Sequence, residues 1–324
     1  MAKKLTKEAL MTLAKSFCQT HSKARHPELF GVTTPRVFGW VGKNFVSDVA
    51  RYRKVRQIEG VSSIVWRQGI KHDCAEVMEL REENRQWQNG AGEPVNVEYD
   101  RVFPLAKSSD LKDHVVVSLR KVVIVPQGAV GEDTTWLKRS NPRLWKYLSA
   151  HSDLFSARRS VIYKGKPPFS IFGVGDYSFK PYKVAISGLY KSSHFSLLLP
   201  VDGKPVMLDD TCYLLGFDTL GEAAVALGLL NSQPVQDFLK SIVFPDSKRP
   251  YTKDVLMRLD LQKVASLVSA KSVHDYLSKL EGAHLDFEPK DYEFFSSSAL
   301  VAEQTMFMTE RGSANHAGRR HQII

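Results

Sequence analysis

Three groupings of side chains in this sequence could carry chemistry: glycines near a Pro-Pro pair, acids near lysines, and cations interleaved with aromatics. The string FGVGDY (Phe172 to Tyr177) has the outline of a glycine-rich turn that receives the adenosyl part of S-adenosylmethionine. Just before it, KPPF (Lys166 to Phe169) imitates the Asn/Asp-Pro-Pro-Tyr/Phe signature of amino-methyltransferases. In that signature the first side chain accepts hydrogen bonds from the amine being methylated, and a lysine has no acceptor to offer. The two strings also stand too close together for the helix and strands that part cofactor from substrate in a Rossmann-like sheet. No cofactor site is expected within this chain, and its glycines are read as serving tight turns or a close backbone approach.

Metal-dependent hydrolysis fares no better. PDSK (Pro245 to Lys248) falls between predicted helices, and EPK (Glu288 to Lys290) puts a proline where a strand should run. Asp209 and Asp210 are adjacent, so a strand would send them to opposite faces. Cys18, Cys74 and Cys212 form no CxxC pair, which argues against zinc and against a disulfide framework and fits a reducing cytoplasm. No nucleophile-elbow pattern marks a Ser–His–Asp or Cys–His pair.

The cation-aromatic text is richer. WRQGIKHD gathers Arg67, Gln68, Lys71 and His72 around one glycine, and Arg and Gln carry the donor-acceptor pairs that match guanine and adenine edges. FKPYKVAISGLYKSSHF spaces Lys180, Lys183, Lys191 and His194 among aromatics, and SKRPYTK adds Lys248, Arg249 and Lys253 beside hydroxyls suited to phosphate. The plainer reading of each segment is a solvated charged face over an aromatic core, with His72 and Asp73 an internal pair holding a turn. Across 324 residues, 45 Lys plus Arg against 35 Asp plus Glu give a net charge of +10, a surplus that favours polyanionic partners.

The elements that must position these groups read as α+β: a mixed, strand-rich central domain with helical N- and C-terminal flanks. Residues 1 to about 20 show helical spacing (Leu5, Leu10, Leu13, Ala14, Phe17), and a second helix is predicted from Asn44 to Arg56. The runs SSIVW, HVVVSL, KVVIVP, RSVIY, FSIFGVG, YKVAIS and FSLLLP have the β-branched, turn-bounded character of strands, with a helix over NPRLWKYLSAHSDLFSARR between them. After Phe217 come two helices broken near Ser232 and Pro234, then one more over TKDVLMRLDLQKVASLVSAKSVHDYLSKLE, then a tail of weak periodicity. The boundaries read as 1–59 for a helical and linker segment, 60–265 for the recognition-like domain, and 266–324 for a helical then disordered end. No window is long and apolar enough to span a bilayer, and no secretory signal opens the chain, so the cytoplasm is the expected compartment.

Taken in order, WRQGIKHDCAEVMEL, EYDRVFPLAKSSDL, VVIVPQ with GEDT, RRSVIYKGKPPFSIFGVGDYSFKPYKVAISGLYK, PVMLDDTCY, LLNS and FPDSKRPYTKDVLMRLDL resemble the C-terminal half of adenine-N6 DNA methyltransferases from bacterial restriction-modification systems, the Eco57I-like and TaqI-like group. The resemblance runs from about Phe38 to Leu261. It implies a target-recognition domain that grips double-stranded DNA while a separate Rossmann-like domain binds S-adenosylmethionine and flips out the adenine. That domain's glycine-rich loop and Asn-Pro-Pro-Tyr motif are expected before Trp66 and do not stand there, so the chain is expected to lack its own methyl-transfer site. The residues expected near DNA are Arg67, Gln68, Lys71, His72, Lys180, Lys183, Lys191, Lys248 and Arg249. Two other readings stay open: the DNA-recognising subunit of a two-chain methyltransferase with a separate catalytic chain, and an interaction protein that binds no DNA.

Overall fold

A computed structural model describes residues 36–244, 246–281 and 284–297. The fold is α+β, as the alternation of short apolar runs and helical stretches predicts. Two sheets are interwoven. The first has five strands in the order Arg67–Gln68, Cys212–Phe217, Tyr182–Ser187, Phe195–Leu198 and Val115–Val116, antiparallel except for the last, parallel pair. The second has six, in the order Met207–Leu208, Val102–Ala106, Lys121–Ile124, Glu79–Glu83, Gln86–Gln88 and Pro94–Val95, with only the first pair parallel. The chain passes back and forth between them, so neither sheet could form without the other.

Each face of the five-stranded sheet has its own cover. Val184, Ile186, Phe195, Leu197, Leu215 and Phe217 point into a core shared with the helix Leu220–Leu230. That helix is buried from Ala223 to Leu230, as expected of a helix apolar on all sides. Thr219 caps its start by accepting from the Glu222 amide, and Pro234 in the first turn of Gln233–Ile242 enforces the predicted break. The opposite face, with Ala185, Leu198, Cys212 and Leu214, packs on Ala106, Met207's neighbour Leu208 and Val206 at the edge of the six-stranded sheet. Residues of the N-terminal part, Val46, Tyr52, Val55 and Ile58, join the helical core, and Ser47 and Asp48 donate their amides to the Ser241 carbonyl.

Several local expectations are corrected. Asn44–Val46 is a strand paired with Gly39–Val41, and the helix begins only at Val49, because Asp48 accepts from the Arg51 amide at 2.9 Å and caps it there. SSIVW forms no strand and bends at Ser63 and Ile64, its Trp66 buried against Phe195. RSVIY is a 3-10 turn at Val161–Tyr163 with Val161 71% exposed, and of FSIFGVG only Phe172 bridges, to Lys71. HVVVSL yields the two-residue strand Val115–Val116. The predicted long helix after Thr252 is three short ones, Lys253–Leu256, Leu261–Ala265 and Ala270–Leu277, because Asp260 and Ser269 each cap a new start. EPK opens the helix Pro289–Ser296. The expected helix over residues 1 to 20 and the end of the tail lie outside the described residues. Among those described, no helix is long and apolar enough to cross a membrane.

Candidate nucleic-acid interface

The string WRQGIKHD is stitched to three separate segments. Gly69 donates its amide to Cys212 O, Ile70 to Leu208 O, and Lys71 exchanges backbone hydrogen bonds with Phe172 at 2.8 and 2.9 Å. Asp73, at φ +49°, turns the chain away, a conformation that aspartate tolerates better than most residues. This places Lys71 beside the turn Asp209–Thr211, which Asp209 holds by accepting from the Thr211 amide at 3.1 Å.

Asp210 is the point on which the cations converge. Its carbonyl accepts from the Gln68 side-chain amide and from Arg249 Nη1 at 3.2 Å. Its carboxylate lies 3.5 Å from Lys71 Nζ, and Asp73 holds the same ammonium at 2.6 Å. The Asp73 hydrogen bond raises the Lys71 pKa, against the lowering effect of burial, so this side chain stays charged. Lys191 donates to Ser247 O at 2.6 Å, and Ser247 Oγ in turn donates to Arg249 O at 3.2 Å. Gln68, Lys71, Lys191, Lys248 and Arg249, drawn from three distant parts of the sequence, therefore share one neighbourhood. Gln68, Lys191 and Lys248 are exposed there, and Lys71 and Arg249 are half-buried.

The remaining expected residues stand elsewhere or inside. Arg67 packs its guanidinium over the Tyr177 ring, 5.1 Å from the centroid, and Lys180 pairs with Asp218. Lys183 is 1% exposed and donates to Lys180 O at 2.5 Å; burial alone pushes its pKa down to about 7. An ammonium so enclosed cannot reach a phosphate, and the expectation for Lys183 is corrected accordingly. The alternation of the strand explains it, since Val184 and Ile186 face the helices and turn Lys183 toward the second sheet. His72 is also corrected. It is 6% exposed, accepts from the Cys74 amide through Nδ1, and lies 3.5 Å from the buried Glu79 rather than paired with Asp73. Lys107 at 2.5 Å and Lys121 at 2.8 Å complete that cluster around Glu79. Burial raises the Glu79 pKa, but the His72, Lys107 and Lys121 hydrogen bonds outweigh it and hold the carboxyl far below the usual range.

Sequence reasoning missed the segment Arg158 to Lys166. Tyr163 donates to Lys71 O at 3.2 Å, and Arg158 donates to His72 O at 3.2 Å and Ser170 O at 2.7 Å while stacking 3.7 Å above the Tyr163 ring. It thus fastens the back of the Lys71 turn and leaves Arg159, Lys164 and Lys166 exposed beside it. The signal was in plain sight: two arginines and two lysines within nine residues, read as a strand and a failed cofactor motif.

The strings FGVGDY and KPPF form a backbone crossing and a turn. A Cβ on Gly173 would meet Gly69 O at 2.2 Å, so this glycine serves a close backbone approach. The Pro-Pro turn is fastened by Thr134 Oγ1 donating to Pro168 O at 2.5 Å and Ser170 Oγ donating to Pro167 O at 2.6 Å. Among the described residues, no three His, Cys, Asp or Glu side chains stand where they could hold a metal ion. The arrangement offers cations, amide donors and hydroxyls on a braced turn, which suits binding of a polyanion.

No family model matches the chain. Among solved structures, a Type IIL restriction-modification enzyme, MmeI in complex with DNA, aligns with TM-score 0.39 and 11% identity over 72% of this chain and 31% of its own. Among curated proteins, the Type II methyltransferase M.NspV of Nostoc sp. is 40% identical over 231 residues, 71% of this chain. The chain spans about half, 48%, of that relative's length. This protein is therefore related in sequence, over most of its own length, to a Type II methyltransferase.

Proposed function

We propose that this chain is a DNA-binding target-recognition module of an adenine-N6 DNA methyltransferase of a restriction-modification system. S-adenosylmethionine binding and methyl transfer then fall to residues outside those described, in the same protein or in a partner chain. The observation that carries this reading is the convergence of Gln68, Lys71 and Arg249 on Asp210, with Lys191 and Lys248 beside them. The 40% identity to a Type II methyltransferase supports it independently. Methylating an adenine within a duplex requires flipping it out of the stack at a cost of about a few kcal/mol. Contacts that hold the rest of the site must persist meanwhile, and a rigid, cationic turn braced from behind by Arg158 and Tyr163 meets that need. In this reading Lys191, Lys248 and the exposed cations of the 158–166 segment supply phosphate contacts, and Gln68 reads a base edge.

The test is fluorescence anisotropy on duplex DNA over a salt series. Five such phosphate contacts predict a slope of log K against log salt of about −4 to −5. An affinity that does not change with salt would overturn the proposal.

A further inference from the structure

A cavity of about 530 Å³ opens between the loop after Ser187 and the helices Gln233–Ile242 and Ala270–Leu277, and no carboxylate lines it. Its walls present Lys112, His114, Ser192, His194, Lys240 and Tyr276. The imidazoles of His114 and His194 lie with centroids 4.3 Å apart, tilted 42° to each other, and His194 Nε2 is buried with no hydrogen-bond partner. Tyr276 OH lies 2.9 Å from His114 Nδ1, and Phe195 O lies 3.4 Å from the same nitrogen, so the ring has a partner in both its neutral and its protonated form. The loop wall is fixed by Gln236, which donates to Ser193 O at 2.7 Å, and by Asn231, which clasps Phe195 through both its amide and its carbonyl. The same loop carries Lys191, tied to Ser247 in the cationic cluster described above.

We propose that this cavity binds a phosphate group, with Lys112, Lys240, Ser192 and His114 as its donors. Burial first, and then the neighbouring His194, hold the His114 pKa down against the opposing Phe195 carbonyl and Asp113. Lys112 and Lys240 add further positive charge, and Tyr276 stays a neutral phenol because burial raises its pKa. A phosphate anion supplies what this arrangement lacks. It accepts from Ser192 and from the lysines, and its charge makes protonation of the His114 ring favourable. The inference rests on the DNA-reading role only for the source of the phosphate, a duplex backbone rather than a free ion. Because the loop joins the cavity to the Lys191–Arg249 surface, a backbone phosphate flanking the recognised site is the expected occupant.

The experiment follows the imidazole signals of the full chain by NMR, first with inorganic phosphate and then with duplex DNA, from pH 5.5 to 8. Binding is expected to shift both rings and to weaken up to about tenfold per pH unit above the imidazole range, a dependence lost in His114→Gln. The unsubstituted protein supplies the ring readout if that variant fails to fold. Ring shifts with duplex, reversed by excess phosphate, support the backbone source; shifts with inorganic phosphate alone support the site with a free ion as its ligand. Salt-dependent duplex binding with silent rings in both titrations overturns the cavity proposal and leaves the recognition role intact. Ring shifts with phosphate and no duplex binding at any salt do the reverse.

Discussion

Gly69 and Gly173 meet backbone to backbone, so close that a side chain on the second would have its Cβ 2.2 Å from the carbonyl oxygen of the first. This contact lets the Lys71 strand cross under the Phe172 segment and so aims Lys71 at Asp210. Gly173→Ala suffers both that clash and a left-handed φ of +69°, and it is expected to lose about 3 kcal/mol or more. Gly165→Ala makes the comparison: its φ is +68° but nothing lies within 4 Å of the added carbon, so about 1 kcal/mol is expected. Urea unfolding of the two variants measures the difference, and equal losses would mean the crossing is not tight.

Surface cations and the Gln68 amide should separate in binding assays. Lys248→Ala and Lys191→Ala are each expected to weaken duplex binding to a similar extent for all sequences and to reduce the salt slope by about 1. Gln68→Ala should instead compress the preference between cognate and scrambled duplexes while leaving the slope alone. Lys183→Met, at a position counted among the DNA-facing cations from sequence, should leave the slope unchanged because the ammonium is enclosed.

Lys183 also sets a pH signature. Its folded pKa of about 7 lies well below that of an unfolded lysine, so between those values the unfolded chain binds the extra proton. Stability from this group therefore rises as pH increases from about 7 toward 10. Lys183→Met removes the effect and is expected to gain about a few kcal/mol at neutral pH, with the advantage shrinking as pH rises. Thermal melts of both proteins from pH 7 to 10 show whether the curves converge; parallel curves would refute the assignment.

Glu79 works with the opposite sign. Its depressed pKa stabilises the fold above the ordinary carboxylate range, and that stability is lost as pH falls below about 4. Glu79→Gln leaves Lys107 and Lys121 without their shared anion and should cost about 2 kcal/mol or more at pH 7. The gap between variant and parent should narrow in acid, which denaturant midpoints at pH 7 and pH 3.5 would measure.

Where local chemistry decides, the sequence was legible. The helices around Trp145 and on either side of Ser232, and the strands over KVVIVP, YKVAIS and FSLLLP, follow from apolar period, proline position and capping residues. The strand Glu79–Glu83 escaped notice because only its first two residues are buried, and Arg81, Glu82 and Glu83 face water. RSVIY looked like a strand because β-branched residues are common in strands, but propensity needs a neighbouring strand to pair with, and Val161 finds only solvent.

The same division runs through the candidate site. Residue types alone marked Gln68, Lys71, Lys191, Lys248 and Arg249 as cations and amides suited to a polyanion. They were equally able to mark Lys183 and His72, because a lysine or histidine reads the same in a sequence whether it points out or in. Only the pairing of Arg67–Gln68 with Cys212–Phe217, and the crossing at Gly69 and Gly173, brings residues 68, 71, 210 and 249 together. Composition and spacing are properties of neighbours along the chain. Burial and convergence are set by contacts between segments more than a hundred residues apart, which no local pattern records.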